Sequence, residues 1–163
     1  MRLLDALDDL VNNPPLTARA GKPAHRQLPV MVGRAAGRVD RAAQAVADDL
    51  TPQARDRALH EVRKCAKRAR YAAETVVPVA GKPARRLANR MKALQDVLGE
   101  HQDCVAAQAL LLELAIGAQQ AGESGFTYGL IYAQERVRAN DARHAYETAL
   151  RRASTRRTRR WTH

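Results

Sequence analysis

Aromatic residues are scarce in this chain, at 4% of 163 residues. Because β-sheets are built preferentially from aromatic and β-branched residues, this scarcity argues against a sheet-based core. Alanine and leucine instead dominate the apolar residues, which make up 45% of the sequence, and such a composition favours closely packed helices. The length and apolar content suffice for one domain with a modest core. The sequence therefore predicts an all-α domain.

Cysteines are few, and long apolar runs are absent. Cys65 and Cys104 lie in stretches of helical pattern and form no pair motif, which is typical of reduced thiols. A single disulfide between them is the alternative. No apolar run reaches the length of about 20 residues that a membrane-spanning helix needs, and no signal-peptide pattern follows Met1. These features predict a cytoplasmic protein without a membrane span.

Positive charge is missing from one long stretch, although the whole chain has a formal net charge of +11. No Lys or Arg occurs between Lys92 and Arg136, whereas six acidic residues do. The positive charge therefore belongs to particular helices, and it predicts a positive face or groove. The partners that such a charge favours are nucleic acid, an anionic membrane or an inorganic polyanion.

Helical periodicity and proline positions divide the chain into segments. We predict a single four-helix-bundle-like domain over residues 1–153, with a lead-in helix and loop over 1–22, followed by a flexible basic tail over 154–163. The predicted helices are 3–11, 23–50, 52–77, 82–99, 100–120 and 126–152. The fourth and fifth are joined either directly through a bend at Gly99 or after a break. Thr51 is predicted to cap the third helix, with Pro52 at its first position.

The segment LHEVRKCAKRARYAAE, residues 59–74, gathers basic residues on one side of a helix. A rotation of about 100° per residue aligns six side chains, which we call the basic stripe: His60, Arg63, Lys64, Lys67, Arg70 and Tyr71. Like charges at these spacings destabilise a helix by roughly 0.2–0.5 kcal/mol per pair, and within the stripe only Glu74 offers relief. Either an anion completes the stripe, or the stripe is an ordinary solvated face.

A second segment, KALQDVLGEHQD at residues 92–103, follows the basic stripe. Together the two segments follow the pattern His-x-x-Arg-Lys-x-x-Lys-Arg-x-Arg-Tyr-x-x-Glu, then Leu-Gln-x-x-Leu-Gly-x-x-x-Asp. On these linked motifs the chain resembles the CHAD family, the conserved histidine α-helical domain. The resemblance implies an all-helical domain that binds inorganic polyphosphate through a basic surface without catalysis, and some family members associate with polyphosphate granules.

The resemblance covers only part of a complete family domain, which has two similar helical halves, each with its own stripe. This chain resembles the C-terminal half of that two-bundle architecture, and no first stripe precedes residue 60. The sequence therefore leaves two interpretations open. The chain is a fragment of a longer protein, or two copies pair as a homodimer that imitates the complete domain.

By motif match, the six residues of the basic stripe are the main candidates for binding polyphosphate. Lys92 is a further candidate from the neighbouring predicted helix. Two additional helical rows of basic residues are candidates as well, with a solvated surface equally open for them: Arg34, Arg38 and Arg41, and the row that begins at Arg136. No cofactor and no metal site are predicted, because HQD at 101–103 lacks the spacing of a helical metal-binding pair.

Non-specific binding of nucleic acid is the alternative function. The net charge allows it, but the basic stripe carries a single aromatic residue, Tyr71, and no helix-turn-helix or zinc signature is present. Catalysis is the third class, with the chain as an accessory domain of a triphosphate- or polyphosphate-hydrolysing protein. The sequence has no glycine-rich phosphate loop and no nucleophile–base pair, so we predict that the chain is not an enzyme.

Overall fold

The computed structural model describes residues 3–18, 20–47 and 50–162, and every regular element among them is helical. This confirms the predicted all-α class. The elements are α1 Leu3–Asn12, α2 Ala24–Gln44, α3 Pro52–Thr75, α4 Val77–Ala80, α5 Lys82–Gln120, α6 Phe126–Ser154, α7 Arg156–Arg159 and a closing 3₁₀ turn Arg160–Thr162. None of the helices within this described part combines the length and apolar composition that crossing a bilayer requires.

The four long helices α2, α3, α5 and α6 form a bundle around one apolar core. Alanines on α3 let its neighbours approach closely, while larger side chains from α2 and the first half of α5 fill the interior. The largest fully buried side chains of this core are Val32, Val39, Val62, Leu87, Met91 and Leu94. Only the C-terminal part of α6, around Tyr146 and Ala153, joins this core.

The beginning of α3 follows the prediction. The Thr51 hydroxyl accepts a hydrogen bond from the Ala54 amide at 3.3 Å, and Pro52 occupies the first turn of the helix. Helix α2 starts at Ala24 and includes Pro29, but it ends at Gln44 and not at Leu50. The predicted extension falls partly on residues 48 and 49, which lie outside the described residues.

Helix α5 runs without interruption through Gly99, so of the two predicted alternatives the structure has the direct connection and not the break. Its 39 residues give a length of about 58 Å at 1.5 Å per residue. The first half of α5 packs against α3, and the second half pairs with α6 in an antiparallel arrangement. Gly122 makes the turn between the two helices, with a φ of +77° that favours glycine.

Residues 105–138 form what we call the distal hairpin, which contributes nothing to the main core. Its apolar side chains are largely exposed to solvent, and they are found on both of its helices. The exposed large ones are Leu110, Leu112, Leu114, Ile116, Phe126, Leu130, Ile131 and Val137. Such an extended set of exposed apolar side chains is unusual for a surface without a partner.

The sequence predicts a flexible tail for the C-terminal segment, and in the structure residues 156–162 form helical turns that contact α2, α5 and α6. The Arg159 guanidinium pairs with Asp40, and the same carboxylate accepts a hydrogen bond from the Ser154 hydroxyl at 2.8 Å. Thr162 is buried against Gly33 of α2, where a methyl group on the glycine would lie 3.0 Å from the Thr162 carbonyl oxygen. His163 lies outside the described residues.

Candidate functional site

The basic stripe lies along the contact between α3 and α5 and not on an isolated helix face. His60 Nδ1 is 2.9 Å from Gln102 Oε1 on α5. The Arg63 guanidinium lies against Gly99, where a methyl group would be 3.5 Å from Arg63 Nε. The two helices run antiparallel, so the residue numbers on α5 fall as the residue numbers along the basic stripe rise. The two motifs predicted separately from the sequence are therefore brought side by side.

Two cations of the basic stripe are paired with carboxylates on their own helix. Lys64 Nζ is 2.7 Å from Glu61, and Arg70 Nε is 2.7 Å from Glu74. The hydrogen bond from Lys64 lowers the pKa of Glu61, and the hydrogen bond to Glu74 raises the pKa of Arg70. The prediction that only Glu74 relieves the repulsion is wrong, because Glu61 reaches Lys64 from one turn earlier.

Lys67, Arg70 and Tyr71 form a group in the C-terminal half of α3, with Lys67 and Tyr71 exposed and Arg70 partly buried. Lys67 Nζ lies 5.9 Å from the centre of the Tyr71 ring, and Arg70 Cζ lies 5.4 Å from the same centre. Tyr71 is 49% exposed, so its ring holds both cations at the surface by cation–π attraction. Within the described residues, Lys67 has no carboxylate partner, which leaves its charge available to an external anion.

Arg63 is partly buried between α3 and α5, where its guanidinium lies against Gly99. Its Nε atom and the Oε1 atom of Gln95 on α5 are both buried without a hydrogen-bond partner in the described part of the chain. Leaving such groups unpaired is energetically unfavourable. The contact between α3 and α5 therefore contains a hydrogen-bond donor and an acceptor that no described residue satisfies.

Lys92 is brought to the far end of the basic stripe. It lies on α5, half exposed, and its Nζ atom is 2.6 Å from Asp96. The charge of Asp96 also acts on Arg70 across the helix contact and contributes to raising the pKa of Arg70. Lys92 and Arg70 thus share an acidic neighbour, and the structure places this predicted residue beside the stripe.

The remaining predicted residues lie apart from the basic stripe. Arg34, Arg38 and Arg41 are exposed on α2, where they line a concavity of about 390 Å³ together with Thr162 of the C-terminal segment. Arg136 is exposed on α6 within the distal hairpin. In the described part of the chain, no hydrogen bond or ion pair joins these four residues to the stripe.

His101 has a structural environment. It is buried on α5, with Nε2 3.6 Å from Asp56 on α3. Burial lowers the pKa of His101, and the Asp56 charge opposes that shift. Over residues 3–18, 20–47 and 50–162, no group of three or more potential ligands is placed to hold a metal ion.

Sequence reasoning missed the residues that surround the basic stripe: Glu61, Gln95, Gly99 and Gln102. Glu61 was detectable, since it stands three residues before Lys64, a spacing at which opposite charges meet on a helix. The three residues of α5 belong to the second motif, but their facing positions depend on how α3 and α5 pack, which local periodicity does not specify.

The model of the CHAD domain matches residues 1–112 of the chain, a range that contains the whole basic stripe and Lys92. Two curated relatives, the uncharacterized proteins MT2285 and Rv2226, come from two strains of Mycobacterium tuberculosis. Each is 42% identical to this chain over 153 residues, which cover 92% of the chain and 28% of the relative.

The chain therefore spans less than a third of the length of the curated relatives that it matches. No solved structure matches it. The family model covers well over half of the chain, and its range includes both helices that carry the linked motifs. On this ground, together with the all-helical bundle, the chain belongs to the CHAD domain family.

Proposed function

We propose that this chain binds inorganic polyphosphate, without catalysis, through the basic stripe and Lys92. The observation that carries the proposal is the alignment of the two motifs along one contact between α3 and α5. Lys92 of α5 and Arg70 of the basic stripe interact with the same carboxylate, Asp96, which supports a shared site on the two helices. Arginine offers a forked pair of donors to phosphate oxygens, and lysine adds a mobile point charge.

The ion pairs within the basic stripe are compatible with such binding. Lys64 and Glu61 are both substantially exposed, as are Lys92 and Asp96. Exposed pairs of this kind contribute roughly 0–1 kcal/mol, so a chain of phosphates can displace their carboxylates at little energetic cost. Until a ligand arrives, the pairs hold the cations near the positions that binding requires.

Replacement of three stripe residues tests the proposal. The stripe variant loses three positive charges through the substitutions Arg63→Gln, Lys64→Gln and Lys67→Gln. The control variant removes three charges elsewhere through Arg26→Gln, Arg151→Gln and Arg160→Gln, all of which are exposed. Titration with long-chain polyphosphate in moderate salt should show binding nearly abolished in the stripe variant and little changed in the control. Equal affinity for all three proteins would show that the stripe assignment is wrong.

Salt dependence provides a second measurement. Phosphate contacts release counterions, so the affinity of the parent chain should fall steeply as salt rises, and the stripe variant should show a smaller slope. Competition with duplex or single-stranded DNA at equal phosphate concentration addresses the alternative function. Displacement of polyphosphate by DNA under those conditions would favour non-specific nucleic-acid binding.

The proposal extends to catalysis and location. We propose that the chain does not hydrolyse polyphosphate, and release of inorganic phosphate from it, with or without a divalent metal, would contradict this. In the cell, we propose a cytoplasmic location at polyphosphate granules. Fluorescence imaging of the tagged parent and the stripe variant tests that location, because only the parent should concentrate on the granules.

A further inference from the structure

A second group of cations lies where the beginning of α5 meets the end of α6 and α7. We call it the corner cluster, and its members are Lys82, Arg85, Arg86, Arg90, Arg152 and Arg157. Two adjoining concavities of about 500 and 360 Å³ are lined by these residues, and both concavities include Arg86 and Arg90. Because the two share part of their lining, they form one continuous surface assembled from three elements.

The charge of the corner cluster is uncompensated. All six side chains are exposed, and in the described part of the chain none of them pairs with a carboxylate. The residues that line the two concavities likewise include no Asp or Glu. This contrasts with the basic stripe, where Lys64 and Arg70 each have an acidic partner. The corner cluster therefore repels itself more strongly than the stripe does and gains more from an external anion.

The fold holds the corner cluster in place from two sides. The hydroxyls of Thr155 and Thr158 lie 2.7 Å apart, and the Thr158 hydroxyl donates to the Arg152 carbonyl at 3.4 Å. The Arg159 pair with Asp40 then fixes α7 against α2. On the other side, the N-terminal end of α5 has no side-chain cap, so its dipole adds to the positive field.

Interaction with a helix dipole does not account for the cluster. Arg152 lies in the last turn of α6, where a cation stabilises the negative end of the helix. Lys82 and Arg85 lie in the first turn of α5, where the positive end of the helix disfavours cations. The corner cluster therefore gathers charge at this end of α5 against the preference of the helix.

We propose that the corner cluster is a second binding segment for the same polyphosphate chain, and this inference rests on the proposed function. Arg85, Asn89 and Lys92 share one face of α5, and Lys92 lies about 10 Å along the axis from Arg85 at 1.5 Å per residue. Lys92 is also beside the basic stripe. A phosphate chain bound to the stripe can therefore continue along α5 past Lys92 and reach the corner cluster.

The test uses a corner variant with Arg86→Gln, Arg152→Gln and Arg157→Gln, which loses the same number of charges as the stripe and control variants. Its affinity for long-chain polyphosphate should fall by about tenfold or more, with a reduced salt slope. The affinity of the control variant should change by less than about twofold. Tripolyphosphate is too short to occupy both segments. The corner variant should therefore lose less affinity and less salt slope with tripolyphosphate than with long-chain polyphosphate.

The outcomes separate this inference from the proposed function. If the parent chain does not bind polyphosphate, both the proposed function and this inference are wrong. A corner variant that binds long-chain polyphosphate as the control variant does, while the stripe variant fails, would overturn only the corner assignment. Loss of DNA binding by the corner variant with retained polyphosphate binding would also overturn it, because the site would then serve nucleic acid.

A measurement on the parent chain keeps the proposal testable if the corner variant does not fold. Backbone amide resonances of residues 84–90 and 155–158 should shift when long-chain polyphosphate saturates the protein. The amides of residues 24–28, at the beginning of α2, serve as the internal reference and should not move. Unchanged resonances at both parts of the corner cluster would refute the inference without any substitution.

Discussion

At the scale of single residues, Tyr146 carries a buried hydroxyl without a hydrogen-bond partner among the described residues. Such a group loses its water on folding and receives nothing in return. Tyr146→Phe keeps the ring and deletes the unpaired group, so we expect the unfolding free energy at neutral pH to rise by roughly 1 kcal/mol. Urea unfolding monitored by circular dichroism measures it, and a clear destabilisation would mean that the hydroxyl has a bonding role.

The same residue predicts a pH dependence. Burial, reinforced by the Glu147 charge, raises the pKa of Tyr146 to about 12, above its unfolded value of about 10. The folded state therefore keeps a proton that the unfolded state releases, and stability falls as pH rises through that interval. The advantage of Tyr146→Phe over the parent should grow between pH 10 and 12.

The basic stripe shows which residue-level features a sequence can reveal. Helical spacing alone aligned Lys64, Lys67 and Arg70, because position on one helix face follows from residue number. Spacing did not reveal that Arg63 is partly buried against Gly99, since that depends on the packing of a second helix. The candidate residues were thus predictable, whereas their degree of exposure was not.

At the scale of elements, the C-terminal segment shows what local patterns miss. STRRTRRWTH has the composition of a solvated tail, and its main partner, Asp40, is more than a hundred residues away in the sequence. One arginine, Arg159, converts the segment into part of the fold through its contacts with Asp40, Ala36 and Ser154. No local signal distinguishes this arginine from its exposed neighbours.

Arg159→Gln should accordingly destabilise the protein. The Arg159 side chain is only 12% exposed, and its removal leaves Asp40 without its cation. Hydrogen bonds to charged groups contribute roughly 1.5–3 kcal/mol each, so we expect a loss of about 2 kcal/mol in unfolding free energy. Lys92→Gln breaks an exposed pair and should cost at most about 0.5 kcal/mol. Thermal unfolding of both variants provides the comparison, and equal losses would contradict the anchoring role of Arg159.

Helix α5 offers a second test at this scale, because it passes uninterrupted through Gly99 and Gly117. Glycine inside a helix is less favourable than alanine by roughly 0.5–1 kcal/mol. A methyl group at Gly99 would make ordinary contact with Arg63 at 3.5 Å, and one at Gly117 would meet nothing within 4 Å. Gly99→Ala and Gly117→Ala should therefore raise the unfolding free energy by similar amounts. A loss at Gly99 alone would show that Arg63 needs the space.

At the scale of the whole molecule, charge and apolar surface are segregated. Residues 93–135 contain six acidic residues and no Lys or Arg, whereas the chain as a whole carries +11. That acidic stretch includes most of the distal hairpin, which exposes eight large apolar side chains. The distal hairpin therefore combines little charge repulsion toward a second copy with apolar surface to bury.

This segregation leads to the expectation that two copies associate through their distal hairpins, an arrangement different from the homodimer that imitates the complete domain. Pairing there would bury apolar side chains such as Ile116 and Leu130, both about half exposed. It would also keep the strongly basic helices of the two copies apart. We therefore expect the chain to sediment as a dimer at micromolar concentration, and the double variant Ile116→Glu with Leu130→Glu to sediment as a monomer.

Val79→Glu is the matched control for this prediction, because Val79 is an equally exposed apolar residue on α4, outside the distal hairpin. It should leave the dimer intact, since it places a glutamate at a site that pairing does not bury. A parent chain that sediments at 18.0 kDa over the whole micromolar range would refute association between copies. A dimer that survives the double substitution would show that a different surface joins the two chains.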